Sequence, residues 1–161
     1  MAQIIDTAAG RLEILSRYRT IAMVGLSANP YRPSHFAAIY MLAEGYDVVP
    51  VNPRNDEILG RKSYPSLTAL AEATNEPIEI VDIFRKPSDV PPIVEEAIAV
   101  GAKVIWMQLE VINEAAAAMA VAAGLDVVMD RCVKIEHARF HGGLNLIGLD
   151  TGVITARRHR V

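Results

Sequence analysis

Arg32, Arg54 and the neighbouring pair Arg85–Lys86 each follow a short apolar run and stand at or just before the start of a new element. Planar guanidinium groups and a lysine grouped in this way suit phosphate oxygens. The stretch GLSANPYRPSHF, Gly25 to Phe36, adds further parts of an anion site. Gly25 permits a tight turn with close backbone approach. Ser27 offers a hydroxyl, and Ser34 reads as the N-cap of a helix whose free amides and dipole favour negative charge. An ordinary strand-to-helix turn with an exposed arginine fits this loop equally well.

The loop departs from the dinucleotide fingerprint, because Ser27 and Pro30 stand where its second and third glycines belong. That fingerprint also wants a carboxylate about 20 residues later to hold ribose hydroxyls. Here VVPVNPRN places Asn52 between Pro50 and Pro53, followed by Arg54. This is poor for NAD and permissive for a ligand with a phosphate on its ribose. The prolines stiffen the backbone, so that a flat adenine can lie against them.

Other reactive residue types are scattered. Phe84 reads as core, and the sole tryptophan, Trp106, alternates with Ile105 and Met107 in a way that favours burial. Gln108 and Asn113 are neutral hydrogen-bond partners after the same run, and Glu110 has no second acid or histidine beside it. Cys132 with His137 could be read as a thiol and its base, but a spacing of five puts them on different helix faces. An isolated cysteine is more often a small buried hydrophobe. His35, His141 and His159 show no metal-ligand spacing.

The elements that would carry these residues are legible as an alternation. Five apolar, β-branched runs recur at 21–26, 46–51, 78–84, 102–107 and 125–130. Several are apolar at successive positions, as expected for strands covered on both faces. Between them, Phe36, Ile39, Tyr40 and Ala43 give a helical stripe ended by Gly45. Asp89 precedes a helix with prolines in its first turn and Gly101 at its end, and Asn113 and Gly124 bracket another. A short helix is expected near Ser66–Ala73, in the least defined connection, 53–77. An N-terminal helix over 6–19 shows Ile5, Ala8, Leu12 and Leu15 on one face, and a last helical piece follows Arg131.

This grammar predicts an α/β fold: a Rossmann-like, doubly wound, parallel five-stranded sheet of order 3-2-1-4-5 with helices on both faces. Ligands then bind beyond the carboxyl ends, above strands 1 and 4, where the order reverses. One domain spans 1–161, with its core at about 15–140 and a tail over 141–161 that reads as a hairpin or a disordered end. Charged residues make up 22% and hydrophobic ones 52%, which suits a soluble α/β protein with a fully covered sheet. A net charge of −3 argues against nucleic acid as a partner. The single cysteine rules out an internal disulfide framework. No apolar window is long enough to span a membrane, and the start lacks a signal-peptide core, so a cytoplasmic location is expected.

Taken together, the G-x-S loop with RPS, the strand GYDVVPVNP, VDIFRKP, GAKVIWMQ and the DRC turn resemble the small stand-alone CoA-binding protein family. That family is similar to the CoA-binding domain of the succinyl-CoA synthetase α subunit, and the resemblance runs from about Leu15 to Phe140. It implies coenzyme A or an acyl-CoA as the ligand. By position, Gly25, Leu26, Ser27, Arg32 and Ser34 would hold the pyrophosphate region. Val51, Asn52 and Pro53 would line the adenosine end, with Arg54 toward the ribose phosphate. Phe84, Arg85, Lys86 and Pro87 would flank nucleotide and pantetheine, with Trp106 and Gln108 along the pantetheine arm.

The synthetases also have a phosphohistidine domain and a nucleotide-grasping subunit, which this chain does not contain. The resemblance therefore implies CoA binding without catalytic machinery, and no catalytic or metal-binding residue is assigned. Three alternatives stay open: an NADP-binding reductase, a redox sensor on the same fold, and a non-catalytic subunit of a larger acyl-CoA enzyme. The last would have another protein as its partner. A homodimer is equally compatible with the sequence.

Overall fold

Strands form where apolar and β-branched residues run together, because both faces of the sheet are covered. The computed structural model describes residues 1–141. The expectation for the tail therefore lies, from residue 142 on, outside the described residues. Five parallel strands make the sheet: β1 (Thr20–Val24), β2 (Asp47–Val51), β5 (Ile80–Ile83), β6 (Val104–Met107) and β7 (Asp126–Val128). Two-residue strands β3 (Glu57–Ile58) and β4 (Arg61–Lys62) form a separate antiparallel hairpin. The helices are α1 (Ala8–Arg17), α2 (Pro33–Ala43), α3 (Leu67–Ala73), α4 (Val90–Ala99), α5 (Glu114–Ala122) and α6 (Val133–His141).

The sheet order is β2-β1-β5-β6-β7. Beyond β2, Tyr64 pairs alone with the strand: its amide donates to Pro50 O, and its carbonyl accepts from the Asn52 amide. Counted with this single-residue bridge as the third strand, the sheet follows the 3-2-1-4-5 pattern and is extended by one strand. The run 78–84, third among the five apolar runs, thereby becomes the fourth strand and lies beside β1. At the opposite edge Ile4 bridges to Val127, and the Ile5 amide donates to Val127 O at 2.7 Å.

Side chains alternate between two core layers. Val81, Ile83, Ile105 and Met107 face α3, α4 and α5, where Leu70, Val94 and Ala117 meet them. Ile21, Met23, Ile80 and Trp106 face α1, α2 and α6 through Leu15, Ala38 and Val133. Asn113 caps its helix as anticipated, whereas Asp89 precedes α4 without a side-chain cap bond. Ser66 Oγ accepts from the Ala69 amide and Asn113 Oδ1 from the Ala116 amide, each satisfying a first-turn donor.

Two helices differ from the sequence reading. α1 begins at Ala8 with Thr7 as its cap, and its buried positions are Arg11, Ile14 and Leu15. Arg11 turns inward because Glu136 of α6 is fully buried, with Nε to Oε2 at 2.7 Å. In α2 the buried side chains are Ser34, His35, Ala37, Ala38 and Met41, whereas Phe36 and Ile39 are about half exposed. Ala37 and Ala38 let the helix approach the sheet closely, so that Phe36 and Ile39 face out while Tyr40 stays partly buried against the core. The hairpin was not foreseen: Leu59 and Gly60 both take positive φ, at 54° and 71°, as a type I′ turn requires. Arg61 binds it to β2 through Val48 O and the Asp47 carboxylate.

Candidate functional site

The strand order reverses between β1 and β5, and Gly25 lies at that point. Its φ is 88°, and a Cβ there would stand 2.4 Å from Phe84 O and 3.0 Å from Arg85 Cδ. The glycine thus lets the exits of β1 and β5 pass each other. Its amide also donates to Val51 O at 2.9 Å, and the Phe84 amide donates to Val24 O at 2.8 Å. The ends of β2, β1 and β5 are therefore knitted together across the opening.

The loop that follows is a chain of side-chain-to-backbone turns. Ser27 Oγ accepts from the Asn29 amide, Asn29 Oδ1 from the Tyr31 amide, and Ser34 Oγ from the Ser27 amide at 2.9 Å. Ser34 is not the helix cap. Pro33, with its preset φ, starts the helix two residues earlier and leaves Arg32 at the cap position, so the Ser34 hydroxyl reaches back into the loop. His35 Nδ1 lies 2.8 Å from Ser27 O; a carbonyl can only accept, so that nitrogen carries the proton. The amides of Ala28 and Ser34 meet no acceptor among the described residues; Ala28 is exposed and Ser34 is buried.

Asn52 explains the missing ribose carboxylate. Its Nδ2 donates to Leu26 O at 2.9 Å, and its Oδ1 accepts from the Arg54 amide at 2.9 Å. An aspartate could accept the second bond but not donate the first. The residue that departs from the NAD pattern is thus the one that pins the first loop to the second.

Arg32, Arg54, Arg85 and Lys86 are all exposed, as are Pro53 and Pro87, and none of the four cations has an ion-pair partner among the described residues. The side chains of Leu26, Val51 and Trp106 are instead sealed in the core, and Phe84 is half-buried. Trp106 donates its indole N–H to Arg131 O at 2.8 Å. These four residues back the opening rather than line it with free side chains. Asn113 spans the rim, with Nδ2 donating to Pro87 O.

Beneath the opening lies a group the sequence reading passed over. Asp82 of β5 is fully buried, level with Met23 of β1 and Trp106 of β6. Its Oδ1 accepts from Gln108 Nε2 at 2.5 Å, and its Oδ2 has no partner among the described residues. Burial pushes its carboxyl up to about 8, against a smaller lowering by Gln108. An acid in the middle of the apolar run IVDIF was the available signal. Burial likewise raises the Cys132 thiol, opposed by the Ile135 amide, so it is not held as a thiolate. His137 serves elsewhere, with Nδ1 2.8 Å from the Tyr40 hydroxyl.

Among the described residues no cluster suits a metal ion, and no helix is long and apolar enough to cross a membrane. A cavity of about 450 Å³ lies away from the strand exits, between the N-terminal arm and α1.

Residues 19–138 match the family described as the CoA binding domain. An uncharacterised protein of Bacillus subtilis (strain 168), YneT, is 42% identical over 126 residues, covering 78% of this chain and 90% of its own. A hypothetical protein from Pyrococcus horikoshii OT3 superposes with a TM-score of 0.79 at 44% identity, over 85% of this chain and 94% of that one. The acetyl-coenzyme A synthetase 1 of Ca. Korarchaeum cryptofilum shares the fold, with a TM-score of 0.61 at 22% identity. That match covers 72% of this chain and 27% of the synthetase.

Proposed function

The chain belongs to the CoA binding domain family, and from that premise we propose that it binds coenzyme A or an acyl-CoA over the exits of β1, β2 and β5, without catalytic machinery of its own. The observation that carries this reading is the set of four exposed cations, without ion-pair partners among the described residues, at three neighbouring strand exits of an acidic protein. CoA brings a pyrophosphate and a 3′-phosphate, and such a set answers both. Arg32 with the Ala28 amide takes the pyrophosphate. Arg54 takes the ribose phosphate, and Arg85 and Lys86 flank the nucleotide. The raised Cys132 thiol speaks against a nucleophile in the same crevice.

The test is isothermal titration with CoA, dephospho-CoA, NAD and NADP. CoA is expected to bind at micromolar Kd or tighter, about −8 kcal/mol. Saturable heat from NADP with none from any CoA species would overturn the proposal in favour of a reductase or redox sensor.

A further inference from the structure

We propose that Asp82 is a positioning residue: it holds the Gln108 side-chain amide with Nε2 inward, so that Oε1 is presented to the crevice as an acceptor for an amide N–H on the ligand's arm. This rests on the CoA reading above and adds a determinant of which part of the ligand is recognised.

The geometry runs from the strand outward. Gln108 directly follows β6 at its carboxyl end, and its side chain is almost fully buried. Its Nε2 is committed to Asp82 Oδ1, while its Oε1 takes no donor among the described residues and is not sealed from solvent. The two faces of an amide are alike in shape and opposite in polarity, so only a neighbour can decide which one points out. Asp82 Oδ1 makes that decision by accepting, and a proton on the carboxyl then sits on Oδ2.

Asp82 is a costly way to do this, which suggests a role beyond packing. A buried carboxyl with one oxygen unpaired is less favourable than an apolar side chain of similar size. Such groups persist mainly where function needs them. CoA carries two amides in its arm, and each has an N–H that an outward acceptor can take.

The experiment measures binding of CoA and of adenosine 3′,5′-bisphosphate, which lacks the arm, to wild type, Asp82→Leu, Asp82→Asn, Gln108→Leu and the double Leu variant. CoA affinity is expected to fall about 10-fold in Asp82→Leu and in Gln108→Leu. The double variant should lose little more, because the two act as one unit. Asp82→Asn keeps an acceptor oxygen and should stay within about 3-fold of wild type. The bisphosphate should bind all variants alike. Unchanged CoA affinity in Gln108→Leu, a parallel loss of bisphosphate binding, or equal loss in the Asn and Leu variants would overturn the inference. Should Asp82→Leu fail to fold, Gln108→Leu and Asp82→Asn decide it. Failure of wild type to bind CoA at all would instead refute the functional reading itself.

Discussion

The carbonyl oxygen of Phe84 stands 2.4 Å from the place a Cβ would occupy on Gly25. Backbone cannot give way as a flexible side chain can, and φ at this glycine is already 88°. Gly25→Ala is therefore expected to cost at least about 3 kcal/mol. Gly45 has a similar φ but nothing within 4 Å, so Gly45→Ala should cost only the conformational strain, roughly 1–2 kcal/mol. Urea unfolding of the two variants side by side checks whether close approach, rather than φ alone, demands the first glycine.

Asn52→Asp is the natural substitution toward an NAD-type site, and it should fail as one. It would lose the donor to Leu26 O and set a carboxylate against that carbonyl. A stability loss of about 1–3 kcal/mol is expected, with weaker CoA binding and no gain of NAD affinity. Denaturation together with titration of both ligands checks each part.

Arg54 is assigned to the ribose phosphate, so Arg54→Ala should weaken CoA about 10-fold and dephospho-CoA by less than about 2-fold. Equal loss for the two ligands would remove Arg54 from that role. CoA binding should also weaken as salt is raised, since these cations are exposed.

Asp82 makes stability depend on pH in a direction opposite to that of a paired carboxylate. Its carboxyl lies at about 8 in the folded chain, against 3.8 for the unperturbed group. Between those values the native state holds a proton that the unfolded state has released. Its contribution therefore falls as pH rises from about 4 to about 8 and levels off above. Denaturation midpoints measured from pH 5 to 9 should show wild type losing stability relative to Asp82→Leu across this range. A constant difference would show that Asp82 ionises normally.

Arg11 and Glu136 form an ion pair with side-chain exposures of 6% and 0%. Arg11→Leu strands a buried carboxylate and should cost about 3–5 kcal/mol, even though Arg139 also approaches Glu136. The Arg11→Leu, Glu136→Leu double variant should recover much of that loss. Thermal unfolding of the single and double variants measures the coupling.

Much of this molecule was legible along the chain because its signals are local. Continuous apolar runs mark strands buried on both faces, Ser66 and Asn113 mark helix starts, and Gly101 and Gly124 mark helix ends. The alternation of these units entails parallel strands and puts the loops after 25, 52 and 85 on one edge. The basic character of that edge needs no coordinates.

What the chain alone did not decide are the matters that depend on which distant segments meet. The apolar stripe Phe36, Ile39, Tyr40 and Ala43 was a genuine helical period. Close approach of Ala37 and Ala38 to the sheet, with Ser34 and His35 bonded to the Ser27 segment, turned the other face inward. Gly25 looked like the remnant of a phosphate fingerprint, and its necessity comes from Phe84, 59 positions on. Asn52 looked like a missing carboxylate, and Leu26 O gives it a donor's task. Asp82 was hidden in an apolar run until the register of β5 and β6 set it beside Gln108. Periodicity and capping act within a few residues and are written in order along the chain; strand order, register and helix rotation are settled by packing, and they bring the site's side chains together.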